Sequence, residues 1–153
     1  MTTFHTRCAA YALIALVALV GTASQLPQYL PLGLVQGNVQ FWSDTLANPA
    51  SRFITIDVLV VFLVVWPWMI GEARRWRMGG LPAYFLGSIL VAFSVALPLF
   101  MLHREIALQR MGVAEGDAMP RPGASALTSW TGWSVIAVAL VTVLYTSRAT
   151  GWI

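Results

Sequence analysis

Apolar residues fall in four long runs, each closed by a polar segment or by glycine and proline. The clearest run follows Asn48-Pro49. Asn48 suits a helix cap and Pro49 suits the first turn. From Phe53 to Ile70 the only charge is Asp57, and the run stops at Glu72, Arg74, Arg75 and Arg77. Eighteen helical residues rise about 27 Å, close to the thickness of a bilayer's hydrocarbon core. The pattern predicts a membrane-spanning helix over residues 49–70. Three more runs, residues 8–24, 81–102 and 129–147, predict further spans.

The segments between them are equally marked. Pro27, Pro31, Gly33 and Gly37 predict a connection rather than a helix interior. Residues 38–47 predict a short interfacial helix with Val39, Trp42 and Leu46 on one face. Gly79-Gly80 makes a turn and Pro82 opens the third span. Residues 103–128 are polar and broken by Gly112, Gly116, Pro120, Pro122 and Gly123, and predict an extramembrane loop whose first half suits a surface helix. Pro67 and Pro98 predict kinks. Trp130, Trp133, Tyr145 and Trp152 flank the fourth span as an aromatic belt. The fold class is therefore all-α, an integral membrane four-helix bundle with a short interfacial helix, in a single domain.

Small residues mark packing faces. Gly87, Ser88, Ala92 and Ala96 form a stripe at spacing four, and Ala12, Ala15, Ala18 and Thr22 form a weaker one. Residues 8–24 also fit a signal peptide, with Arg7 before the apolar core and Gly21-Thr22-Ala23 as a small-residue site. A retained first helix, ending before Pro27, is the preferred expectation.

Composition supports the membrane reading. Of 153 residues, 58% are hydrophobic and 10% charged, against about 25% charged in soluble domains. The nine basic residues are all arginine and sit near span ends rather than in a stripe, so anionic lipid head groups suit them and nucleic acid does not. With the N-terminus inside, Arg7, Arg74, Arg75, Arg77 and Arg148 fall on the inner side of four crossings. Arg52, Arg104, Arg110 and Arg121 then fall outside. The short loop with three arginines sets the expectation of N-in and C-in at a bacterial inner membrane.

The absence of lysine excludes a Schiff-base or phosphate-binding lysine. One cysteine, Cys8, excludes an internal disulfide. His5 and His103 lie outside the apolar runs, so bis-histidine haem ligation inside a bundle is not expected, nor is a metal site. No catalytic motif is present. Asp57 would cost about 2.5–3.5 kcal/mol at the bilayer centre and less near a helix start. Its expected role is pairing across helices, with Arg104 as the natural partner of an antiparallel third span. The alternative role is binding a proton, a cation or a substrate group. Asp57 and Glu72 lie about 22 Å apart along one helix and cannot act on one atom.

Ala47-Asn48-Pro49, Ser51, Phe53 and Asp57 lead into Glu72-Ala73-Arg74-Arg75. Tyr84, Ser94, Ala96-Leu97-Pro98-Leu99-Phe100 and Arg104-Glu105 follow. This order resembles domain-of-unknown-function family 2834, a group of small bacterial membrane proteins, over residues 25–105. Ala73 stands where the family usually has glycine, and residues from Ile106 onward look like an extension. The resemblance implies a membrane topology and brings no activity. It points to Asn48, Asp57, Glu72, Arg74, Arg75, Arg104 and Glu105 as recurring polar positions, at helix ends where capping and interhelix contacts are made.

The expected function is non-enzymatic: an accessory or scaffolding subunit of a larger bacterial membrane complex, surrounded by lipid and by other subunits. Aromatic positions Trp66, Trp68, Phe85 and Phe93 suit a partner, or a hydrophobic cofactor such as a lipid, quinone or carotenoid; no cofactor is required. The alternatives are a carrier for a hydrophobic or cationic ligand using Asp57, and an enzyme acting on an isoprenoid or lipid.

Overall fold

The computed structural model describes residues 2–112 and 129–151. Among them every regular element is helical. The helices are α1 (Thr2–Ala23), α2 (Gly33–Asp44), α3 (Pro49–Arg75), α4 (Leu81–Gly87), α5 (Phe93–Arg110) and α6 (Ser129–Ala149), with a 3₁₀ turn at Leu30–Leu32 before α2 and a π-helical turn at Ser88–Ala92 between α4 and α5. Four helical segments among the described residues have the length and hydropathy to cross a membrane: Thr3–Ala23, Pro49–Arg75, Leu81–Arg110 and Trp130–Ala149. This is the composition of a membrane protein.

The chain forms two compact units. One comprises Met1–Ser24 and Trp68–Ser125, the other Gln25–Pro67 and Ala126–Ile153. Helix α3 contributes its last two turns to the first and the rest to the second.

In the first unit, the segment expected to be a straight third span folds back on itself. Ala92 is extended, with φ −173° and ψ 144°. The Tyr84 hydroxyl lies 3.0 Å from Nδ1 of His103, and the rings of Tyr84 and Phe100 are 5.4 Å apart. In a straight helix nineteen residues would separate such groups by about 28 Å. Residues 81–110 therefore form a helical hairpin with its reversal at Ala92. The segment is expected to run straight and instead turns back, because hydropathy registers solvent compatibility and not direction. A Cβ built on Gly87 would lie 4.0 Å from that of Ala96, so two members of the small-residue stripe face each other across the hairpin. Lipid gives packed helices no hydrophobic advantage, and small side chains that let backbones approach supply contact instead.

Arg7 of α1 reaches Glu105 of α5, and α1 also packs on the π-helical turn that precedes α5. Thus α1 runs antiparallel to α5, with Ala15 buried; Ala18 and Thr22 are half-buried and Ala12 is exposed. Trp68 packs edge-on against Phe100, and Glu72 meets Arg104, so the end of α3 runs parallel to α5.

In the second unit, α6 lies antiparallel to α3. Trp66 Nε1 donates to Ser134 Oγ at 2.9 Å, and that hydroxyl donates to the Thr131 carbonyl at 2.8 Å. Far along α6, the Tyr145 hydroxyl lies 3.1 Å from the Thr45 carbonyl, just before α3 begins. Thr131, Ser134, Val138 and Thr142 are buried at spacings of three and four, one face of a helix.

Helix α2 begins at Gly33, earlier than the expected residue 38. Gly37 is a packing position rather than part of a connection. A Cβ there would lie 2.6 Å from the Tyr29 carbonyl oxygen. Both α3 and α5 stay helical through Pro67 and Pro98. Of the loop expected over 103–128, residues 103–110 belong to α5, and 113–128 lie outside the described residues, as does Trp152.

Candidate functional site: an ionic clasp joining three helices

Helix α3 ends in a way that fixes its last turn. Met78 N–H donates to the Ala73 carbonyl at 2.8 Å and Arg77 N–H to Arg74 at 3.3 Å. Arg77 has φ 48°. This is a Schellman termination with arginine in the position that usually takes glycine. Ala73 and Met78, the residues such a motif brings together, are both buried.

One turn earlier, Glu72 is buried, with its carboxylate at the centre of a charge cluster. Oε2 accepts hydrogen bonds from Arg104 Nε and from Trp76 Nε1, the latter at 2.9 Å. Oε1 is 3.7 Å from Arg75, whose guanidinium also sits 5.4 Å from the centre of a Trp76 ring. The Arg104 Nη1 lies 3.5 Å from Glu105 Oε1, and Glu105 Oε2 lies 3.8 Å from Arg7. Five charges thus alternate as Arg75, Glu72, Arg104, Glu105 and Arg7, drawn from α3, α5 and α1. A buried carboxylate without partners is costly, and here both acids have cations.

Among the described residues, no buried side-chain nitrogen or oxygen lacks a hydrogen-bond partner. The arrangement orients three helix ends. The described residues also hold no group of three or more metal-ligating side chains.

The predicted residues divide clearly. Glu72, Arg75, Arg104 and Glu105 meet in the cluster. Arg74 is half-buried beside it in sequence. The expected Asp57–Arg104 pair is replaced, since the carboxylates on Arg104 are Glu72 and Glu105. The folded-back hairpin brings the end of α5 to the end of α3, whereas a straight span would have carried it to the start. Asp57 is exposed on α3. Asn48 caps α3, its Oδ1 accepting from Ser51 N–H at 2.9 Å.

Gly87 and Ala96 meet within the hairpin, and the Ser88 hydroxyl bonds the Tyr84 carbonyl at 2.7 Å. Trp66 is fully buried and is not available to a partner, whereas Trp68 is exposed; Phe85 and Phe93 are half-buried. Arg7 as the partner of Glu105 and Ser134 as the partner of Trp66 are not among the expected contacts. The spacing of Thr131, Ser134, Val138 and Thr142 was the available signal for the second.

The fold and the clasp define an all-helical membrane protein whose clustered charges lie at helix ends. The chain belongs to the family described as protein of unknown function DUF2834, whose model matches residues 10–106. The matched region takes in most of α1, all of α3 and the hairpin up to the clasp. No curated protein and no solved structure matches the chain.

Proposed function

We propose that this protein is a non-enzymatic accessory or scaffolding subunit of a larger complex in a bacterial inner membrane. The observation that carries this reading is the closure of the clasp: Glu72 and Glu105 are committed to Arg7, Arg75 and Arg104, so the buried charges position helices. Apolar side chains such as Val17, Val64, Leu90 and Leu144 are left exposed along the long helices, and lipid or neighbouring subunits would cover them. Gentle purification from the native membrane, followed by mass spectrometry and an absorption spectrum, tests the reading. A stoichiometric larger assembly is the expected result. A small monodisperse species with lipid alone would overturn it.

Topology is part of the same proposal: the N-terminus inside, three crossings, and the end of α6 outside. Two independent observations support it. Within one unit the 81–110 segment returns to the side it came from. Within the other, α6 runs antiparallel to α3. Arg7, Arg74, Arg75, Arg77, Arg104 and Arg110 then share the inner side, leaving Arg52 and Arg148 outside. This asymmetry is much stronger than that of the four-crossing arrangement, and it is the direction the positive-inside rule favours.

A second reading, a carrier for a hydrophobic ligand, draws on one observation, an elongated groove of about 570 Å³ on the hairpin. Asp57 does not line this groove.

A further inference from the structure

The groove lies along α4, the π-helical turn and α5, lined by Gly87, Val91, Val95, Ala96 and Leu99. Its polar groups are at one end only. There Tyr84 and His103 are hydrogen-bonded to each other, and Arg110 stands beyond them. Arg110 is exposed and has no ion-pair partner among the described residues.

The dimensions are those of one lipid in one leaflet. From Val95 to Ile106 the α5 wall rises about 17 Å, and a leaflet's share of the hydrocarbon core is about 15 Å. Arg110 lies about 6 Å further, one helical turn, at head-group depth. A volume of about 570 Å³ falls within the range of pockets that hold small ligands, roughly 300–1,000 Å³. Small residues make the groove possible. Gly87 and Ala96 meet where the two arms of the hairpin approach, and no large side chain projects from either position into the groove.

We infer that this groove is a binding site for one acyl chain of an anionic phospholipid from the surrounding bilayer, with the phosphate-bearing head held at Arg110 and His103. The charge selects the occupant. A zwitterionic or neutral lipid would satisfy the apolar walls equally but leave Arg110 without a net negative partner. The proposed topology puts this end on the arginine-rich side, where anionic lipids concentrate in the cytoplasmic leaflet. The choice of leaflet rests on the proposed topology, whereas the groove does not depend on the accessory-subunit reading, since a lone protein would have it too.

The test uses the full chain in mild detergent, with native mass spectrometry after adding phosphatidylglycerol or phosphatidylcholine of matched chains. The wild type is expected to retain one phosphatidylglycerol under conditions that strip phosphatidylcholine. Arg110→Gln should cut that preference about fivefold, and Arg110→Lys should restore most of it. Val91→Trp, at the apolar end, should reduce retention of both lipids alike. Circular dichroism checks that each variant keeps its helices. The wild-type comparison needs no variant to fold: equal retention of the two lipids overturns the inference, as does phosphatidylglycerol retention unchanged in a folded Arg110→Gln protein. Displacement of the phospholipid by an equimolar free fatty acid would also overturn it.

Discussion

The Tyr84 hydroxyl and His103 Nδ1 lie 3.0 Å apart although the residues belong to one apolar segment. Their contact requires the chain to turn back at Ala92, so both ends of the 81–110 segment reach the same side. In a Cys8→Ser background, single cysteines at Gly79 and Gln109 should react with an impermeant thiol reagent from the same face of sealed vesicles. A cysteine at Thr150 should react from the other face. Labelling of Gln109 and Gly79 from opposite faces would restore the straight crossing.

Trp66 is fully buried, and its indole N–H has Ser134 as partner. Ser134→Ala leaves that donor unpaired, at a cost of about 1–3 kcal/mol. The coupling in a double-mutant cycle with Trp66→Phe should be smaller, about 0.6–1.7 kcal/mol, since membrane-unfolded chains find other partners. Denaturation in detergent micelles measures both; additive single effects would remove the bond from the energetics.

Removing the centre of the clasp should do more harm. Glu72→Ala strips Arg104 and Arg75 of a shared carboxylate while leaving the guanidinium of Arg104 mostly buried. A loss of about 3 kcal/mol is expected. The double change Glu72→Leu with Arg104→Met removes both charges and should recover a substantial part of that loss. Melting of the three proteins side by side checks the order.

Gly37 touches the backbone of Tyr29 so closely that an added methyl would sit 2.6 Å from its carbonyl oxygen. Gly37→Ala should therefore destabilise the packing of α2 on the preceding turn by about 1–3 kcal/mol. Gly21→Ala is the control, with nothing within 4 Å of the new atom. Hydrogen exchange over residues 25–44 should rise in the first variant and not in the second.

Tyr29 donates to Asp44 Oδ2 at 2.9 Å. That bond, followed by burial and the negative charge of Asp44, raises its phenol pKa above the ordinary value. The folded protein favours the protonated phenol, so the contribution is complete below the unfolded pKa of about 10. It is lost as pH climbs through the higher folded value. An ultraviolet phenolate titration should show a late-ionising step that Tyr29→Phe abolishes.

Much of this architecture was written in local signals. Asn48-Pro49 announced the start of α3 and the arginines after Ile70 announced its end. The polar positions Glu72, Arg104 and Glu105 were visible too, but their pairing was not. Pairing depends on direction, and the direction of residues 81–110 turns on Ala92, whose extended backbone any residue type can adopt. Gly87 and Ala96 were legible as packing residues. Their spacing does not say whether the partner is another helix or the other arm of the same hairpin. Likewise Gly37 read as a chain breaker because glycine serves turns and close approaches equally.

The reversal at Ala92 has a consequence for biogenesis. The most apolar 18-residue stretch within residues 81–110 has a mean hydropathy of 2.3, the same as that of α3, so hydrophobicity alone would let the translocation machinery thread it through. In the folded protein α5 packs along α1 and is tied to it through Arg7 and Glu105. On the proposed topology the same apolar segment can be read in two ways during synthesis, and α1 is the partner that would favour the folded-back one. Weakening that early partner would produce a mixture of orientations during synthesis, a fault of delivery rather than of the finished fold.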